Sequence, residues 1–193
     1  MVIIKQLYLS YTDPDNWRNS YQTDKLKGIE WNELRSIILE RDNFTCVYCG
    51  YKSEKYQIVD HINGNPENND YDNLQVVCQM CNLIKHSGQG CEIKGVVDLY
   101  RESKYNQNTI MKITRKMRDE GASDVEIINV LGLRGRMPFK MNLDYLKRFI
   151  GFVTSREIED KNDMYYKWLQ YHKKEVVSKV KSLSQKTIFD CNP

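Results

Sequence analysis

The sequence has little of what marks disordered, fibrous or membrane-spanning chains. Its 193 residues include only 4 prolines and 10 glycines, and 40% of them are hydrophobic, which excludes a collagen-like or intrinsically disordered chain. No apolar run reaches the roughly 18 residues that a membrane-spanning helix needs. The first residues also turn polar too soon for a secretory signal. We therefore expect a soluble, cytoplasmic protein with no membrane partner, long enough for a small domain and an appended region.

The charged residues are unevenly distributed, although the net charge is only +3. Residues 1–99 contain 10 Lys or Arg against 14 Asp or Glu, a balance of −4, whereas residues 100–193 contain 19 against 12, a balance of +7. A basic half is what a polyphosphate partner would select, but a solvated surface that happens to be uneven gives the same counts. Charge alone leaves both interpretations open.

Four of the six cysteines form two Cys-x-x-Cys pairs, Cys46 with Cys49 and Cys78 with Cys81, separated by 28 residues. Two such pairs complete a tetrahedral zinc site with no open position, and a closed site is structural rather than catalytic. Gly50 follows the first pair, where the turn often needs a positive φ. Disulfides are not expected without a secretion signal, and a redox Cys-x-x-Cys motif would explain only one pair. We predict structural Zn²⁺.

The segment around these pairs alternates between short strands, a loop and helices. A helix is predicted over about 31–41, ahead of the first pair. Residues 55–62, KYQIVDHI, favour a strand, and residues 63–73 favour a loop because Asn, Asp, Gly and Pro dominate them. LQVVC at 74–78 predicts a second short strand, after which a helix begins within CNLIKH at 81–86.

Polar residues stand at fixed places in this order of elements. In chain order they are Asp60, His61, Asn73, Asn82, Lys85 and His86. Together with both cysteine pairs and a lead-in from Trp31 to Phe44, this pattern resembles the HNH nuclease family, whose core is the ββα-metal fold. The resemblance covers roughly residues 28–88, under a third of the chain.

The resemblance implies a catalytic centre for phosphodiester hydrolysis. His61 would be the general base, since a histidine with a pKa near ~6.5 suits proton abstraction at neutral pH. Asn73 would hold the ring of His61, either by a hydrogen bond or by fixing the loop. Asp60 and Asn82 would supply oxygen ligands to Mg²⁺ or Mn²⁺, which would stabilise the charge of the leaving 3′-oxygen.

The resemblance also suggests roles for His86 and Lys85, with alternatives open for His86. His86 lies one helical turn beyond Asn82 and on the same face, where some HNH members place another metal ligand. It could equally contact a phosphate or cap the helix. Lys85 is predicted to contact a DNA phosphate rather than to take part in catalysis.

We therefore expect an α+β protein with three parts. Residues 1–27 form an N-terminal arm without an assigned role. Residues 28–99 form the HNH core with its four-cysteine zinc site. Residues 100–193 form a mainly helical, basic DNA-binding domain.

Within the last part, helix signals and one basic loop stand out. Gly121 predicts a helix end, and the pair Ser123 and Glu126 predicts a capping box that opens the next helix. These two helices resemble the start of a helix-turn-helix, with a plain helical pair as the alternative. Arg134, Arg136 and Lys140 form a basic loop, RGRMPFK, for which DNA contact and simple solvation are both open.

The predicted function is metal-dependent HNH cleavage of double-stranded DNA, of the site-specific restriction type. A phage or mobile-element nicking or homing nuclease fits the same features. A zinc-dependent DNA-binding protein without catalysis is the remaining alternative. A double-strand break would imply a homodimer, because one HNH centre cuts one strand per event.

Overall fold

A computed structural model describes residues 3–12 and 29–157. The remainder of the predicted arm and the part of the predicted basic region beyond 157 lie outside the described residues. The described helices are, in order, α1 Ile29–Arg41, α2 Gln79–Lys85, α3 Gln107–Asp119, α4 Asp124–Leu131 and α5 Leu143–Leu146. The described strands are β1 Gln57–His61, β2 Leu74–Cys78, β3 Val97–Glu102, β4 Arg134–Met137 and β5 Ile150–Val153. Single turns of 3-10 and π helix span Tyr71–Asn73 and Gln89–Ile93.

The first strands and α2 form the predicted ββα unit. β1 and β2 pair antiparallel, with Asp60 opposite Gln75 and His61 opposite Leu74. All of β2 is buried, as its run of apolar residues requires. The α2 helix begins directly after β2, which sets its polar face beside the end of β1. The α+β class with an HNH-like core is confirmed.

The α1 helix covers the outer face of this hairpin. Its buried residues Ile38 and Leu39 pack with Val59, Leu74 and Val76 in one apolar cluster. Such burial contributes roughly 1.5–3 kcal/mol for each fully buried large side chain. The predicted helix over about 31–41 is therefore confirmed, with its start two residues earlier.

A second, three-stranded sheet follows the nuclease-like unit, in the order β4-β3-β5. Both neighbours run antiparallel to β3. The sequence predicted a loop at 134–140, but Arg134–Met137 is an edge strand because Arg136 pairs with Tyr100 of β3. The described part of the predicted helical region thus contains strands as well as α3, α4 and α5.

The described regions on either side of residue 99 share one core. β3 crosses the predicted boundary at 99, and one apolar cluster contains Cys49 and Cys78 together with Met111 and Leu146. The side chain of Asn108 in α3 also connects the two regions, because it hydrogen-bonds to backbone groups of residues before position 99. It donates to the carbonyl of Tyr48 at 2.7 Å and accepts from the amide of Leu7 at 2.8 Å.

The predicted helix ends are confirmed in α3 and α4. Ser123 and Glu126 make a reciprocal capping box, and Gly121 has a φ of 86° just past α3. A strand, β4, follows α4, so α3 and α4 form a helical pair without a third helix directly after them. Within the described residues, no helix is both long and apolar enough to cross a bilayer.

Candidate HNH and zinc centres

The two cysteine pairs converge as predicted. The sulfur atoms of Cys46, Cys49, Cys78 and Cys81 all lie within 4.8 Å of one another, and all four residues are buried. The Sγ atoms of Cys49 and Cys78 are 3.7 Å apart, too far for a disulfide. Ligands about 2.3 Å from a tetrahedral Zn²⁺ would be separated by ~3.8 Å. The donor set and spacing therefore fit zinc.

Four buried thiols at this separation cannot lose their protons independently. Hydrogen bonding from Cys49, Cys78 and Cys81 lowers the pKa of Cys46. The interaction with Cys46 in turn raises the pKa of Cys81. Once one thiolate has formed, further negative charge needs a cation among the sulfurs, which a structural zinc ion would supply.

At the end of β1, Asp60 lies at the centre of a buried polar network. Its side chain is 4% exposed. Lys85 Nζ lies 2.5 Å from Asp60 Oδ2, and the amide nitrogen of Gln75 donates to the same oxygen at 2.9 Å. His86 Nε2 lies 2.8 Å from Asp60 Oδ1. Both carboxylate oxygens are thus engaged by groups from β2 and α2.

These neighbours keep Asp60 ionised despite its burial. Burial acts to raise the pKa of the carboxyl, but the hydrogen bond from His86 and the charge of Lys85 hold that pKa below its usual range. Burial lowers the pKa of the Lys85 ammonium, and the negative charge of Asp60 offsets only part of this effect. The pair is therefore a partly desolvated ion pair.

His86 is held from two sides. Its Nε2 faces Asp60, and its Nδ1 lies 3.1 Å from the hydroxyl of Thr12 in the N-terminal segment. Two ligands at right angles and about 2.1 Å from an octahedral cation lie ~3.0 Å apart. The separation of 2.8 Å between Asp60 Oδ1 and His86 Nε2 is a hydrogen-bond distance that is also close to this value. The role of His86 as a metal ligand stays a prediction.

His61 follows Asp60 and is 7% exposed. Its Nε2 lies 3.0 Å from Oδ1 of Asn69 in the loop between the strands. Its ring stacks against Trp31 of α1, with 6.1 Å between the ring centroids and 13° between the planes. Asn69 and Trp31 together restrict the orientation of the imidazole.

Asn73 fixes the loop between the strands through hydrogen bonds to its neighbours. Its carbonyl accepts from the amide of Ile62 at 2.8 Å. Its side-chain nitrogen donates to the carbonyl of Asn68 at 2.8 Å, and its side-chain oxygen accepts from the amide of Asn63 at 3.2 Å. Asn73 thereby closes the loop that carries Asn69.

Asn82 occupies α2 one turn before His86, and its side chain is half-buried. The backbone carbonyl of Asn82 accepts from the amide of His86 at 2.9 Å, which sets both residues on one helical face. Within the described residues, only the four cysteines form a cluster of three or more Cys, His, Asp or Glu ligands. Asp60 and His86 lie together through the contact described above, and Asn82 as a third metal ligand stays a prediction.

The predicted DNA contacts lie in different surroundings. Lys85 points inward to Asp60 and to the carbonyl of His61, with a side chain 12% exposed, so a phosphate contact would require breaking this ion pair. Arg134 and Lys140 are exposed. Arg136 is also exposed, but its guanidinium lies 2.6 Å from Asp98. The DNA contacts of Arg134, Arg136 and Lys140 therefore stay predictions.

Sequence reasoning missed Thr12, Asn69 and Gln75, which help to build this site, and it did not foresee that Trp31 stacks on His61. Gln75 was detectable, since a polar residue inside an apolar strand needs a buried partner. Its amide nitrogen also donates to the hydroxyl of Tyr48 at 2.9 Å. Asn69 lies among other loop asparagines, and Thr12 is far away in sequence, so neither had a local signal.

Comparison with known proteins agrees with this geometry. Residues 46–88 match the family model described as HNH endonuclease, so the chain contains an HNH domain. A stretch of 68 residues, 35% of this chain, is 31% identical to the type 4 apparatus protein DotN of Legionella pneumophila (strain Philadelphia 1). That match covers 31% of the length of DotN. The chain therefore matches only about a third of this curated relative.

Proposed function

We propose that the protein is a metal-dependent HNH endonuclease that hydrolyses phosphodiester bonds of double-stranded DNA. One observation carries this proposal: His61 and Asp60 stand side by side at the end of β1, and His86 lies 2.8 Å from Asp60. A general base next to a carboxylate–imidazole pair is the arrangement that metal-assisted hydrolysis needs. The HNH match covers all three residues.

Each residue has a defined task in this proposal. His61 takes a proton from the attacking water, and its contacts with Asn69 and Trp31 keep the ring in one orientation. Asp60, Asn82 and His86 would hold Mg²⁺ or Mn²⁺, which supplies charge stabilisation at the phosphate and the leaving oxygen.

The basic second half would bring DNA to this centre. Arg134 and Lys140 are exposed, and Arg136 is oriented by Asp98. An arginine can read guanine O6 and N7 in the major groove, whereas a lysine suits phosphates. We extend the proposal to a restriction-type enzyme acting on short sites, as a homodimer where it breaks both strands. A nicking or homing nuclease would use the same residues.

A second candidate is an HNH domain that serves binding or assembly without catalysis. The observation favouring it is the Lys85 ammonium 2.5 Å from Asp60, where it competes with a metal for the carboxylate. His61 is also largely buried. The similarity to a protein named for an apparatus is compatible with this candidate.

Incubation of supercoiled plasmid with the full chain and Mg²⁺ or Mn²⁺ separates the candidates. The enzyme predicts nicked or linear product from the wild type and none from His61→Ala, with zinc content unchanged. Glu120→Gln, an exposed substitution at the residue directly after α3, is the matched control and should cleave normally. Wild-type protein that shifts DNA without cutting it would support the binding candidate. Sequencing the product ends would then reveal any site preference and stagger.

A further inference from the structure

The zinc cluster has a neighbour that its cysteine motif does not include. Arg115, in the middle of α3, donates from Nη2 to Sγ of Cys78 at 3.2 Å. The same guanidinium lies over the ring of Tyr51, 3.7 Å from the centroid. Tyr51 belongs to the first zinc turn, because its carbonyl accepts from the amide of Cys46 at 2.9 Å. Arg115 thus contacts both halves of the cysteine cluster from a helix far away in sequence.

Charge explains why an arginine suits this position. Four thiolates around one Zn²⁺ leave a net charge of about −2 in a buried site. Among the described residues, no carboxylate lies within ion-pair distance of Arg115, so the sulfurs are its counter-charge. The Nε of Arg115 is buried without a hydrogen-bond partner in the described structure. Such an unsatisfied donor is costly and indicates that the guanidinium is held by its other contacts.

The contact with Tyr51 also favours an arginine at this position. The ring of Tyr51 adds a cation–π contact that fixes the plane of the guanidinium, an interaction worth about 0.5–2 kcal/mol elsewhere. Lysine has a compact ammonium and cannot reproduce both contacts equally well.

We infer that Arg115 is an outer-sphere positioning residue of the zinc site, which partly neutralises the thiolates and fastens α3 to both cysteine pairs. Retention of zinc would then depend on residues 107–119 as well as on the cysteine motif. The HNH match ends at residue 88, so it does not include this residue. The inference does not depend on whether the protein cleaves DNA.

The test is the rate of zinc transfer from the full chain to a chromogenic chelator. Groups beyond the direct ligands typically change metal affinity by 10- to 100-fold. Arg115→Met should therefore release zinc at least tenfold faster than wild type, and Arg115→Lys should fall between them because it keeps the charge. Lys112→Met, on the same helix but exposed, is the control and should release zinc at the wild-type rate.

A spectroscopic measurement separates this role from simple packing. In Co²⁺-substituted protein, loss of a hydrogen bond to Cys78 should shift the thiolate-to-metal charge-transfer band in Arg115→Met, and Arg115→Lys should partly restore it. Should Arg115→Met not fold, the Arg115→Lys release rate and band position decide the question alone. Release within twofold of wild type and an unshifted band would overturn the inference. Wild-type protein without stoichiometric zinc would instead refute the zinc site itself.

Discussion

The ammonium of Lys85 lies 2.5 Å from the carboxylate of Asp60, in a site where the two side chains are 12% and 4% exposed. An ion pair this far removed from water is sensitive to the loss of either member, since the remaining charge then has no full counter-charge. If Asp60 binds a divalent cation as proposed, Lys85 would compete with that cation for the carboxylate. The ion pair would then link the stability of the domain to its affinity for the metal.

Substituting Lys85→Met should destabilise the protein by about 3–5 kcal/mol in the absence of divalent metal, as expected when one member of a buried pair is removed. Mn²⁺ should restore part of this loss, because the freed Asp60 oxygen becomes available to the ion. Urea unfolding with and without Mn²⁺ measures both effects. The exposed i,i+3 pair Lys147 and Asp144 gives the control, and Lys147→Met should cost below about 1 kcal/mol. Equal Mn²⁺ stabilisation of wild type and Lys85→Met would show that Lys85 does not compete with the metal.

Much of this core was predictable because it is local in sequence. Both cysteine pairs, the strand–loop–strand–helix order and the Ser123 capping box depend on residues within a few positions of one another. The ion pair between Lys85 and Asp60 was not predictable, because nothing in the sequence distinguishes a lysine that points into the core from one that contacts a phosphate. The same holds for Arg115, whose partner Cys78 is 37 residues away. Strand β4 was also missed, because its exposed RGRM sequence lacks the apolar alternation that predicts a strand.

Loss of one zinc ligand should unfold the core. Since zinc binding supplies folding free energy, Cys46→Ala should lose its zinc and its cooperative unfolding transition. Cys91→Ala removes a thiol outside the cluster and should keep full zinc content. Metal analysis and thermal unfolding, monitored by circular dichroism, provide the readouts. A folded Cys46→Ala protein with zinc still bound would show that the cluster is not the zinc site.

Cys91 should make the protein less stable in alkali. Burial, aided by the negative charges of Glu92 and Asp98, raises the pKa of its thiol to about 12. The unfolded thiol titrates near ~8.5, so the folded state keeps its proton over a range in which the unfolded state loses it. The stabilisation is complete below that lower pKa and disappears as the pH rises toward the folded value, with a slope of at most ~1.4 kcal/mol per pH unit.

Urea unfolding between pH 8 and pH 10 measures this slope. Cys91→Ala should flatten it relative to wild type, whereas an unchanged slope would assign the effect to other groups. Tyr48 adds a similar effect only at higher pH, because burial raises its pKa to about 12 from a normal value near ~10. Measurement below pH 10 therefore keeps the contribution of Tyr48 small, and the difference between wild type and Cys91→Ala reports the thiol.

The salt dependence of DNA binding should distinguish Arg134 from Arg136. Arg134 is exposed and makes no ion pair within the described residues, so a phosphate contact costs it no existing partner. If it neutralises one phosphate, Arg134→Gln should reduce the slope of log K against log salt by about 0.9, and Arg134→Lys should retain the wild-type slope.

Arg136 already shares Asp98 with Arg156, each at 2.6 Å, so the site holds two cations against one carboxylate. Arg136→Gln should therefore weaken binding to a preferred sequence more than it changes the slope, since a guanidinium held by a carboxylate is oriented for base recognition. Fluorescence anisotropy with the full chain over a salt series measures both variants, and identical slopes for wild type and Arg134→Gln would remove Arg134 from the phosphate contacts.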